Sequence, residues 1–165
     1  MNDVPAPSAD QRPTPLRPQP PSRRPGLAAL LQTAGHREYR EMEHGLRASG
    51  GLANTDDIIA LLGARTDQPI STLAHWIVAH DLVSFEWNSR TMLPVFQFEP
   101  ATMTVRPEVT AIVRELAPAF SDWEICLWFA RPNAWLGDAS PVDHLAVDAA
   151  AVFDAARADR YLARS

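Results

Sequence analysis

Eight of the fifteen prolines fall within the first 25 residues, and this distribution limits where folding can begin. The same stretch holds only two large aliphatic residues, Val4 and Leu16. A chain so poor in apolar surface cannot offset the entropy of ordering itself, so residues 1–25 are expected to be a disordered, polyproline-like arm that is dispensable for folding. The fold must come from the residues after it, which leave room for one domain or for two small modules sharing a core.

Charge divides at the same point. The arm carries Arg12, Arg17, Arg23 and Arg24 against Asp3 and Asp10, whereas the remainder holds eleven arginines and eighteen acids. An acidic body repels phosphate backbones and suits a cationic partner. Every basic residue apart from histidine is arginine, a pattern that coding bias explains without special chemistry. A single cysteine, Cys126, rules out an intramolecular disulfide and reads as a small buried hydrophobe. The longest apolar run, Ile125 to Ala130, is far short of a membrane span, and the proline-rich start has no secretory apolar segment. The expectation is a cytoplasmic chain with no membrane partner.

From Leu27 to Arg47 the spacing predicts a helix with Leu27, Leu30, Leu31 and Ala34 as its apolar stripe. Asn54-Thr55-Asp56-Asp57 reads as a helix cap with first-turn acids, and Gly63 closes that helix. After a polar turn, Pro69 leads into a second helix with Leu73, Trp76, Ile77 and His80 on one face. Val83, Phe85 and Trp87 then alternate with polar residues, Asn88 to Thr91 form a loop, and Met92 to Phe98 alternate again. Pro94 should place that second strand at a sheet edge. Helix, turn, helix, hairpin is the layout of a winged helix-turn-helix.

The last third is helical. Pro107 opens a helix with Val109, Ile112, Val113 and Leu116 on one face, and Ser121 with Glu124 forms a capping box. The helix that follows is apolar nearly all round, which predicts a central position with Trp123, Leu127 and Trp128 at the heart of the core. Arg131-Pro132-Asn133 breaks it. Ser140-Pro141 starts another helix, and Asp148 caps an alanine-rich final one. The fold expected is mainly α. The segments are an arm over 1–25, a helix-turn-helix with a hairpin wing over 26–100, and a helical domain over 101–165.

Catalytic patterns are missing. The chain has no GxSxG, phosphate-binding loop, GxGxxG or HExxH. Ser140, Asp143 and His144 contain triad residue types, but the serine and aspartate are explained as caps. His36 with His44, and His75 with His80, are spaced off a common helical face, so no metal site is expected. No cofactor is called for, and the chain reads as a binding protein rather than an enzyme.

The run Trp128-Phe129-Ala130-Arg131-Pro132-Asn133-Ala134-Trp135-Leu136-Gly137-Asp138-Ala139-Ser140-Pro141-Val142-Asp143-His144-Leu145 resembles the toxin-binding domain of the Xre/MbcA/ParS antitoxins. Leu93-Pro94-Val95-Phe96-Gln97-Phe98, followed by Arg106-Pro107-Glu108-Val109, is similar to a subgroup in which a short wing precedes the toxin-binding helices. The resemblance spans about residues 92–162. It departs from the family at His144, a position often apolar, and at Val147-Asp148-Ala149-Ala150, where a glycine-containing link is usual. It implies a partner of the RES-domain type, a toxin that consumes NAD, with its active site capped by the antitoxin. On that resemblance the partner surface falls between Trp135 and Ser165, carried by Trp135, Leu136, Arg157, Arg160, Tyr161 and Arg164. Arginine and tyrosine are frequent interface hot spots.

The competing reading is a DNA-binding regulator of helix-turn-helix type. Its contacts would come from Ser71, Thr72, His75 and Arg90, with the arm's arginines adding electrostatic affinity. Between Gly51 and Pro100 there are two arginines and six acids, so DNA binding should be weak and salt-dependent. Operator DNA and a second copy of the chain stay open as further partners.

Overall fold

A computed structural model describes Arg24 and residues 26–165. The expected disordered arm, with Arg12, Arg17 and Arg23, lies outside the described residues. The elements run α1 (Leu27–Leu46), β1 (Leu52–Asn54), α2 (Thr55–Gly63), α3 (Pro69–Val78), β2 (Phe85–Trp87), β3 (Arg90–Pro94), α4 (Pro107–Leu116), α5 (Asp122–Ala130), α6 (Pro141–His144) and α7 (Ala149–Arg164). The fold is mainly helical, with one small antiparallel sheet ordered β1-β3-β2.

Side chains that satisfy orphan amides set the helix starts. Asn54 accepts from the Asp57 amide, Ser140 from Asp143 and Asp148 from Ala151. Ser121 and Glu124 make both bonds of a capping box. The hairpin between β2 and β3 closes through Asn88 and Ser89 alone, both left-handed at φ 48° and 61°. That two-residue turn matches strand twist, and it puts Arg90 and Thr91 inside the strand rather than in the loop expected.

The second expected strand also stops early. Val95–Gln97 is a 3-10 turn, so the strand ends at Pro94. Nor is β3 an edge strand. Leu52-Ala53-Asn54 pairs along its other side, with Pro94 at the last register position opposite Leu52. Proline is tolerated there because the β2–β3 ladder has already ended at Phe85 opposite Met92, so no strand partner on that side needs its N–H. His80 leaves the α3 face assigned to it, since α3 stops at Val78 and His80 is left-handed and exposed.

Two apolar clusters hold the chain together. The smaller joins Ile58, Leu62, Leu73, Leu82, Leu93, Phe98 and Met103, and so seats α2 and α3 on the sheet. The larger joins Met42 and Leu46 of α1 with Phe85, Phe96 and the buried faces of α4 to α7. Residues on both sides of position 100 therefore share one core. The stripe expected on α1 is not part of it: Leu27, Leu30 and Leu31 are exposed, and α1 meets the core from Tyr39 onward, with Met42 and Leu46 fully buried. Trp123 and Trp128 are half-buried rather than central, while Ile125, Cys126, Leu127 and Phe129 are enclosed. An all-round apolar helix announces that it is surrounded without saying which side is deepest.

Close approach of α1 to α5 depends on Gly45. A Cβ there would lie 2.5 Å from the Ala130 carbonyl oxygen and 3.0 Å from the Ala130 Cβ. In an open helix Gly→Ala would gain about 1 kcal/mol of helix propensity. Here the clash is with backbone, and overpacking of that kind costs about 1–3 kcal/mol. Gly45→Ala should therefore lower the melting temperature; a rise would show that the two helices do not touch at this point.

Candidate functional site

The α5 capping box and the Arg131-Pro132-Asn133 break together fix three tryptophans around a groove. Trp123 and Trp128 stand on α5, and Trp135 stands on the 3-10 turn after the break. The Asn133 side chain accepts from the Trp135 amide at 2.9 Å and sets that turn. The groove encloses about 750 Å³ and is walled by these tryptophans together with Glu38, Glu124, Arg131 and Asp159.

Each indole N–H in the groove donates to a carboxylate. Trp123 Nε1 reaches Glu38 Oε2 at 2.9 Å. Asp159 on α7 collects three donors: Trp128 Nε1 at 2.7 Å and Asn133 Nδ2 at 2.8 Å on Oδ2, and Trp135 Nε1 at 2.9 Å on Oδ1. All three donors are neutral, and among the described residues no cation pairs with Asp159. Trp123 is further braced from the wing. Trp87 of β2 stacks on Tyr39 at 4.2 Å and lies 5.7 Å from Trp123. These bonds and stacks hold the aromatic walls before any ligand arrives.

At the groove's rim Arg131 grips Glu41 in a two-bond fork, Nε to Oε1 at 3.0 Å and Nη2 to Oε2 at 2.8 Å. The fork holds the Glu41 carboxyl below the usual range, chiefly through the hydrogen bond from Arg131, and raises the guanidinium in turn. The Ser121 amide lowers Glu124 in the same way. Burial pushes the Cys126 thiol well up, so the sulfur stays protonated and serves packing. Ser140 and Asp143 are engaged with each other as the α6 cap.

Trp135, expected at a partner surface, is 59% exposed and forms one wall of the groove. Tyr161 is 74% exposed on α7, and Arg157 and Arg164 are exposed on the same helix. Leu136 and Arg160, expected at the same surface, are engaged within the fold. Leu136 is buried in the core, since the turn that presents Trp135 outward points its neighbour inward. Arg160 is held against Glu115 of α4 in an ion pair at 3.1 Å, part of the α4–α7 packing. Nothing in the sequence singles out Asp159. Its only signal was an acid beside arginines on the last helix.

The residues assigned to DNA do not gather in the groove. Ser71 and His75 are exposed on α3, Thr72 is half-buried, and Arg90 is exposed where the hairpin begins β3. The Ser71 hydroxyl is turned to the Gln68 carbonyl at 3.3 Å. Ile70 and Val78 are exposed on that helix as well. Among the described residues no cluster of His, Cys, Asp and Glu could hold a metal ion, and no helix is long and apolar enough to cross a membrane.

Comparison with family models, curated proteins and solved structures gives no match to this chain.

Proposed function

We propose that this protein is a non-catalytic antitoxin-like partner that neutralises a cognate RES-type, NAD-consuming toxin by docking its C-terminal helices over the toxin's active site. The observation that carries the reading is Trp135: largely exposed, yet fixed by Asp159 through its indole and by Asn133 through its amide. An exposed aromatic held in one geometry loses little freedom on binding, which is what an interface anchor requires. Tyr161, Arg157 and Arg164 supply further hot-spot residue types from α7. The toxin class rests on the sequence resemblance over residues 92–162.

Truncation does not test this surface, because ending the chain near Asp154 would remove the buried Ala155 and Ala156 along with Asp159. Point substitutions do. Trp135→Ala with Tyr161→Ala should leave the melting temperature within a few degrees of wild type. At about 2 kcal/mol for each hot spot, the pair weakens toxin binding by nearly a thousandfold where the two losses add. In co-expression with the RES-type toxin, growth rescue by the wild-type chain should be lost in this double variant. Undiminished rescue by the stable variant would remove this surface from the mechanism.

The winged arrangement of α2, α3 and the β2–β3 hairpin supports a second reading, in which the chain also binds operator DNA. The exposed face of α3 brings no arginine or lysine, so affinity would come from Arg90 and the arm and fall steeply with salt. Gel-shift titration at increasing salt distinguishes this from tight, sequence-specific recognition.

A further inference from the structure

The exposed leucines of α1 and the tryptophan groove lie on one line. Leu27, Leu31, Ala34, Glu38 and Glu41 follow one another at spacings of four, three, four and three, the repeat that keeps residues on one helical face. The lower end of this face is occupied: Glu38 bonds Trp123 and Glu41 is gripped by Arg131. Its upper end, with Leu27 74% exposed and Leu30 and Leu31 beside it, is uncovered. An apolar track therefore leads from the start of α1 to the mouth of an aromatic, acidic groove.

The chain that precedes this track has a complementary composition. Residues 12–25 read Arg-Pro-Thr-Pro-Leu-Arg-Pro-Gln-Pro-Pro-Ser-Arg-Arg-Pro, with prolines, one leucine, four arginines and no acid. Proline-rich segments in extended form dock on aromatic-lined grooves at a small entropic cost. Arginine stacks on indole faces and pairs with carboxylates. Asp159 offers both partners in one place: of the four lone-pair sites of a carboxylate it uses three, all on neutral donors, between the rings of Trp128 and Trp135.

We propose that the N-terminal arm doubles back along α1, covers its exposed leucines, and seats Arg17 in the tryptophan groove beside Asp159. Reach selects that arginine. Glu38 lies eleven residues into α1 from Leu27, or about 16 Å along the axis. Nine residues of extended proline-rich chain separate Arg17 from Gly26 and span about 28 Å, enough to run down the track and turn in. Two or three residues of chain between Gly26 and Arg24 or Arg23 can reach no farther than about 10 Å, which falls short. Arg12 reaches past the groove and adds charge at its far rim. The docked arm covers Trp135, so arm and partner compete for the same wall. The inference itself needs no toxin and stands or falls separately.

The test uses the full chain with Thr14→Cys carrying a nitroxide spin label, since Cys126 is fully buried and does not compete for the reagent. The five indole N–H signals in a nitrogen-15 spectrum report proximity. The Trp128 and Trp135 signals should lose most of their height while Trp76, on α3, keeps its own. Arg12→Ser with Arg17→Ser in the labelled chain, a change outside the folded core, should restore both. Equal heights for all five indoles, or losses unaffected by the serine substitutions, would overturn the proposal. Broadening that appears only when labelled chain is mixed with unlabelled nitrogen-15 chain would assign the groove to a second copy's arm, and would overturn docking within one chain.

Discussion

Phe129→Ala should be among the most destabilising single truncations in the molecule, at about 3–5 kcal/mol. Phe129 is fully buried and, among the described residues, is the largest side chain so enclosed. It packs against Phe96 at 4.7 Å and against Trp128 at 5.1 Å, and so ties the segment after the hairpin to α5. Its removal loses transfer energy and leaves a cavity that the surrounding helices cannot fill. Trp128→Ala, one residue earlier, should cost less, because that ring is only partly buried and its indole bond to Asp159 lies at the groove. Denaturant midpoints for the two variants should fall in that order. The reverse order would return Trp128 to the centre of the core, where the sequence pattern had put it.

What the sequence discloses here is chemistry that acts within three or four residues. The caps at Asn54, Ser121, Ser140 and Asp148 are legible because one side chain meets one backbone amide three positions on. The α4 face of Val109, Ile112, Val113 and Leu116 is equally plain from its period, and all four are buried. Strand β1 is hidden because Leu-Ala-Asn carries no alternation, and its partners on β3 are about forty residues away. The groove is hidden for the same reason. Asp159 draws its donors from 24 to 31 residues upstream, and nothing local to α7 marks it as their common acceptor. Periodicity finds Leu27, Leu30 and Leu31 as a stripe but cannot say whether anything is there to cover it. In this chain the uncovered part of the stripe leads toward the site.

Gln97 is the second position where a large loss is expected, and for a different reason. It is fully buried, the only wholly enclosed polar side chain besides the nearly buried Asn133 among the described residues. Its carboxamide accepts from the Val83 amide at 2.7 Å and donates to the Val83 carbonyl at 3.0 Å, as a paired strand would. The second amide hydrogen goes to the Pro94 carbonyl at 3.1 Å. One side chain thereby replaces the β2–β3 ladder, which ends at Phe85 opposite Met92 and leaves Val83 and Pro94 without strand partners on that side. Gln97→Leu keeps the volume and strands three buried backbone groups. At about 1–3 kcal/mol for each unsatisfied group, discounted for relaxation, the loss should be about 2–5 kcal/mol. Gln97→Glu separates hydrogen bonding from packing. Its carboxylate faces two carbonyls in a dry site, so its folded pKa is raised above the unfolded value of about 4.3. A raised acid stabilises the fold fully below the unfolded pKa and loses that contribution as pH rises through the folded one. The stability gap between Gln97→Glu and wild type should therefore be widest at neutral pH and narrow as pH falls toward 4, where the protonated acid regains one donor. A gap that is constant with pH would mean that water reaches this carboxyl, and that Val83 and Pro94 do not depend on Gln97 for their partners.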